Sequence, residues 1–143
     1  MRYAGIVVLF TGLTLSLAAR ADFTGSWSGS GDVSGGFNIH CDTVSVDVAQ
    51  TATQLSLTNG VADCGFISES MTDQTFQIQG NQLWQNGQQV GTITDTGANA
   101  TVSGKNYTGD VSLSLTAPDT VDITADIDRN GSTYHVTGTL QRQ

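Results

Sequence analysis

Three features of this chain predict an all-β fold, a single antiparallel up-and-down β-barrel of about eight to ten strands. No window after residue 22 sustains apolar residues at i, i+3, i+4 and i+7, whereas period-two alternation recurs. That alternation marks strands with one wet face. Asn86-Gly87 and Asn130-Gly131 are the favoured type I′ hairpin dipeptides, since both central residues need positive φ. The segments between turns are short and regular, as in a meander that closes into a barrel or, alternatively, packs as a β-sandwich.

The first element precedes the barrel. Met1-Arg2 is a short basic start, Ala4 to Ala18 is largely apolar, and Ala19-Arg20-Ala21 gives a small-x-small pattern. Signal peptidase reads such a pattern, so residues 1–21 are expected to form a cleavable signal helix. Residues 22–143 then make one domain of 122 residues, enough to bury a core unaided. The apolar run is short for a membrane span, and no cysteine at the cleavage point invites a lipid. A soluble monomer exported to the periplasm or secreted is expected.

Strands are expected at 22–32, 37–49, 53–64, 73–79, 82–85, 88–94, 98–103, 107–116, 119–128 and 132–142. The alternation is clearest at Val44, Val46 and Val48, at Val111, Leu113 and Leu115, at Val121, Ile123, Ala125 and Ile127, and at Tyr134, Val136 and Leu140. Phe23, Trp27, Val111, Leu113, Val121, Ile123, Val136 and Leu140 are the expected inward residues. The one proline, Pro118, falls between two strands, where its missing donor does no harm.

Charge and cysteines bound the function. Residues 22–143 carry three basic residues, Lys105, Arg129 and Arg142, against thirteen acidic ones, a formal charge of −10. Such a surface repels nucleic acid and anionic lipid, and keeps the domain soluble or suits a basic partner. Cys41 and Cys64 are the two cysteines, and an even count in an exported chain reads as a disulfide. Val48 opposite Leu55 sets the expected hairpin register. Cys41 is out of phase with Val44, and Cys64 with Leu57. Two bulges, near Asp42-Thr43 and Asn59-Gly60, would therefore bring the cysteines opposite each other.

Signals for chemistry are sparse. Asp126, Asp128 and Asn130, followed by Gly131, match the first half of a calcium loop, but the twelfth position is Thr137 rather than glutamate. The same residues fit the wet face of a strand running into a hairpin, and no resident metal or cofactor is expected. His40, Asp42 and Asp63 could converge near the disulfide. No G-x-S-x-G elbow occurs and Glu69 is the sole glutamate, so no catalytic residues are assigned and an enzyme is not expected.

Gly25-Ser26-Trp27 on the first strand resembles the G-x-W motif that opens lipocalins and other calycin-type barrels. That resemblance, to a small bacterial lipocalin-like protein, implies a basic residue from the last strand packed across the tryptophan to close one barrel end. Arg142 holds that position, giving Trp27 and Arg142 as the barrel-closing pair. The late T-D-Y-like motif of lipocalins is absent: Thr94-Asp95-Thr96 lacks the tyrosine. The resemblance implies a binding module for a small apolar or aromatic ligand, with Trp84, Tyr107 and Tyr134 as candidate contacts. Alternatives are a protein-interaction domain, an inhibitor of a basic enzyme of the lysozyme type, or a non-catalytic envelope component.

Overall fold

The computed structural model describes residues 20–143; apart from Arg20 and Ala21, the expected signal segment lies outside the described residues. Eleven strands follow: β1 (Gly25–Ser34), β2 (Ile39–Gln50), β3 (Gln54–Asp63), β4 (Ser68–Ser70), β5 (Gln74–Gln79), β6 (Gln82–Gln85), β7 (Gln88–Ile93), β8 (Gly97–Ser103), β9 (Tyr107–Ala117), β10 (Thr120–Arg129) and β11 (Ser132–Arg142). The pairing is antiparallel throughout, and β1 joins β11 from Trp27 opposite Arg142 to Ser34 opposite His135. With β2 also paired to β3, the sheet closes on itself as a barrel.

Strand β4 was not expected, because Ser68-Glu69-Ser70 carries no apolar side chain to alternate. It pairs with β3 in the same register as β5 does, so the two are halves of one strand interrupted at residues 71–73. The ring thus has ten strand positions.

The two expected bulges are present, on a different base register. Val48 faces Leu57 rather than Leu55, and Ala52-Thr53 forms the hairpin turn. A slip of two residues leaves every side chain on its own face, so the alternation could not detect it. One irregularity in β3 falls between its Val61 and Thr58 partners, where Asn59 adopts φ 53°. The other falls in β2 between Val44 and Cys41, opposite Ser30. Their effects cancel rather than add, and Cys41 and Cys64 come together with Cα atoms 3.8 Å apart as a disulfide.

Type I′ geometry appears at both Asn-Gly turns, with φ 53° and 74° at Asn86-Gly87 and 52° and 81° at Asn130-Gly131. Gly29 serves the curvature of the wall. A Cβ there would collide with the Thr139 carbonyl oxygen on β11, so only glycine permits this approach of backbones.

The start of the domain departs from the expected strand at 22–32. Residues 20–24 are not strand; they run across one barrel end as a strap. Ala21 donates its N–H to Thr94 O at 2.7 Å, and Gln50 Nε2 donates to Ala21 O at 2.9 Å. Phe23 is still buried, and its carbonyl accepts from Trp27 Nε1 at 2.7 Å. Phe23 and Trp27 are thus buried as expected, but the strand does not begin at residue 22, since Gly25 turns with φ 135° between strap and strand.

Side chains fill the strapped end. Trp27, Phe23, Phe76, Leu83, Ile93 and Leu140 are all essentially inaccessible there. Burying each such side chain contributes roughly 1.5–3 kcal/mol.

Candidate ligand-binding interior

The two ends of the barrel differ. At the strapped end, Arg142 lies over the Trp27 indole, its guanidinium carbon 4.4 Å from the ring centroid. The same guanidinium donates to the carbonyls of Asp22, Thr24 and Pro118, and its Nε donates to Asp119 at 3.1 Å. Stacking plus cation–π attraction adds about 0.5–2 kcal/mol at such a site. Arg142 therefore ties strap, last strand and the β9–β10 turn together. This end is shut.

The opposite end carries the β1–β2, β3–β4, β6–β7, β8–β9 and β10–β11 turns. Its rim is aromatic: Phe66 is 90% exposed and Phe37 46%. Phe37 lies 5.8 Å from Tyr134, ring to ring, at a tilt of 54°. The disulfide sits just inside this rim and holds the Phe66 turn to β2.

Below the rim, the inner wall is asymmetric. Inward residues of β3, β5 and β6, such as Leu55, Leu57, Phe76, Ile78 and Leu83, are buried. Those of β9, β10 and β11 are only half-buried at Val111, Leu113, Ile123, Ile127, Tyr134 and Val136. Many of their inward neighbours are small, including Gly109, Ala125 and Gly138. The interior toward the open end is therefore apolar and still reached by solvent.

Besides Tyr134, two polar side chains enter this half. Gln74 is 4% exposed and fully engaged, donating to Ser103 O at 3.1 Å and Thr72 O at 3.3 Å while accepting from Gln85 at 3.0 Å. It bridges β5 to β8 where β6 and β7 stop short. The other is Tyr107, packed against the buried cluster, with its ring folded across Gly104.

The remaining candidate residues are placed as follows. Trp84 is on the outer wall, because its neighbour Leu83 points inward and its indole N–H bonds Gln82 Oε1 at 3.1 Å. Trp84 therefore does not line the interior, which corrects the expectation for it. Adjacent apolar residues at 83 and 84 gave no phase to choose between them.

Asp126, Asp128 and Asn130 do not converge. Asp126 pairs with His135, Asp128 accepts from Thr133 Oγ1 at 2.5 Å, and Asn130 forms the hairpin turn. Among the described residues no three His, Cys, Asp or Glu side chains gather to hold a metal ion. His40 bonds Asp32 at 2.8 Å and approaches Asp42 at 3.6 Å, while Asp63 instead caps the Gly65 N–H. The hydrogen bond that His40 Nδ1 donates to Asp32 chiefly raises the His40 pKa, with the charges of Asp32 and Asp42 adding to it.

The outer wall holds two shallow grooves. One, about 190 Å³, lies along Thr92, Asn99 and Ser112; the other, about 370 Å³, lies along Asp32, Asp122, Thr124 and Thr137. Both are wide open and polar-rimmed, so neither encloses a ligand. Their aspartates already have cross-strand donors, as in Thr139 Oγ1 to Asp122 at 2.8 Å.

Against known proteins, no family model and no curated protein matches the sequence. Solved structures do match in fold. An S-type phycobiliprotein lyase, CPES from Guillardia theta, superposes with a TM-score of 0.61 at 8% identity, over 85% of this chain and 88% of that one. A redesigned β-barrel superposes with a TM-score of 0.51 at 13% identity, over 84% and 90% of the two chains. The chain has the fold of these antiparallel β-barrels.

Proposed function

We propose that this is a lipocalin-like, non-catalytic binding module that takes a small apolar or aromatic ligand into the open half of its barrel. One observation carries the reading: a barrel sealed at one end keeps an apolar, half-exposed inner wall at the other. Val111, Leu113, Ile123, Tyr134 and Val136 form that wall. Leaving such side chains half-wet forgoes burial energy of about 25 cal/mol per Å², and a ligand would recover it. A barrel of this architecture serves as a phycobiliprotein lyase, but fold likeness alone does not carry an activity across. The disulfide fits a non-reducing compartment, periplasmic or extracellular.

The test has two parts. Native mass spectrometry of the protein from its own host is expected to show a retained small molecule. Titration with N-phenyl-1-naphthylamine is expected to give saturable fluorescence enhancement that Val111→Trp, filling the inner wall, abolishes. An empty protein that never binds the probe would overturn the reading, and a co-purified basic protein would replace it with the inhibitor alternative.

A further inference from the structure

Among the described residues, one buried side-chain nitrogen or oxygen has no hydrogen-bond partner: the Tyr107 hydroxyl. Leaving such a group unsatisfied is unfavourable, and native proteins rarely tolerate it without a reason. The residue as a whole is only half-buried while its oxygen is inaccessible. The hydroxyl-bearing half of its ring, Cε1 and Cζ, lies across Gly104 in the β8–β9 turn, where any Cβ would collide with it, and the side chain packs against the buried cluster. Tyr107 shares the inward face of β9 with Val111 and Leu113. Its hydroxyl is thus a polar group delivered to an apolar wall with nothing of its own chain to bond. Gln74 in the same half differs, since its amide is fully satisfied by Ser103, Thr72 and Gln85.

Resting on the ligand-binding reading above, we infer that the Tyr107 hydroxyl is the group that orients the ligand. The ligand class is then narrower: an apolar or aromatic molecule carrying a hydrogen-bond acceptor, such as a ketone, ester or quinone oxygen. A phenol donates well to such an oxygen and remains neutral in doing so. Apolar pockets gain orientation and selectivity from a few placed polar groups of this kind.

The experiment uses two probes of matched size and shape, 2-acetylnaphthalene and 2-isopropenylnaphthalene, titrated calorimetrically into wild type and Tyr107→Phe. Wild type is expected to bind the ketone more tightly. Tyr107→Phe is expected to weaken the ketone about tenfold, the scale of one buried hydrogen bond, and to leave the hydrocarbon unchanged. The variant should also melt no lower than wild type, because the oxygen removed bonds nothing in the protein. Equal ketone affinity in both proteins, or equal loss for both probes, would overturn the hydroxyl's role while leaving the binding site intact. Failure of wild type to bind either probe would instead bring down the ligand reading and this inference with it.

Discussion

Reducing Cys41–Cys64 should lower stability by an amount the chain itself sets. The cysteines are separated by 23 residues, and cross-linking a loop of that length removes roughly 11 cal/mol/K from the unfolded chain, or about 3.4 kcal/mol at 25 °C. The folded state should survive, because β2 and β3 remain paired from Thr43–Asp63 to Gln50–Leu55 without the bond. Unfolding entropy of about 2.1 cal/mol/K per residue gives roughly 0.26 kcal/mol/K here, so Tm should fall by about 13 °C. Reduction is preferable to substitution, since Cys41 and Cys64 are 1% and 7% exposed and truncation would add a cavity term. The assay is urea unfolding followed by far-UV circular dichroism, with and without prior reduction in denaturant. The m-value should rise as the unfolded chain expands. A reduced protein with native spectrum, unchanged m and a loss below about 1 kcal/mol would refute the loop argument.

Four further outcomes follow from the strapped end and the charges. Arg142→Ala should cost about 2–4 kcal/mol in guanidinium unfolding, because it removes the indole contact and the donors to Asp22, Thr24 and Pro118 together; Arg142→Lys should recover less than half, lacking the planar fork. A chain beginning at Asp22 should be about 2 kcal/mol less stable than one beginning at Arg20, read as a lower melting midpoint, since it lacks Ala21's bonds to Thr94 and Gln50. Hydrogen bonds from Thr24 hold Asp22 below its ordinary pKa of 3.8, and those from Asn59 and Ser26 do the same for Asp47. Their stabilisation is complete above pH 3.8 and lost as pH falls through the depressed values, so Asp22→Asn should flatten the Tm profile between pH 4 and 2. His40 has the opposite sign: its raised pKa stabilises below 6.5, and that contribution disappears as pH rises through the folded value.

Faces were legible in the sequence, as were the Cys41–Cys64 and Trp27–Arg142 pairs, but the β2–β3 register and most other side-chain partners were not. Val121, Ile123, Ala125 and Ile127 announced the inward side of β10 because a pleated strand repeats every two residues. The same period hid the true Val48–Leu57 pairing, since a two-residue slip preserves every face. Phase did expose the bulges, because a single inserted residue inverts all that follows. Phe23 and Trp27 were recognisable as buried, but nothing local distinguished a strap crossing the barrel end from one more turn of strand. The Tyr107 hydroxyl was illegible for a different reason. Being unpartnered is a property of the whole packed interior, and no spacing along the chain encodes it.

Packing is divided unequally between the two ends of this barrel. At the strapped end, Trp27, Phe23, Leu140, Ile93 and Leu83 are sealed, and Arg142 satisfies three carbonyls around them. Local propensity, packing and polar satisfaction agree there, as they do where a sequence specifies one structure. At the open end they disagree in three places at once: large apolar side chains on the rim, half-wet aliphatics on β9 to β11, and a buried hydroxyl with no partner. Each is unfavourable for an empty barrel, and together they cost more than a domain of this size has reason to carry. All three become favourable if an apolar molecule bearing one acceptor occupies the same space. The tightly packed end keeps the fold standing, and the disulfide just below the rim ties the Phe66 turn to β2 at the other end.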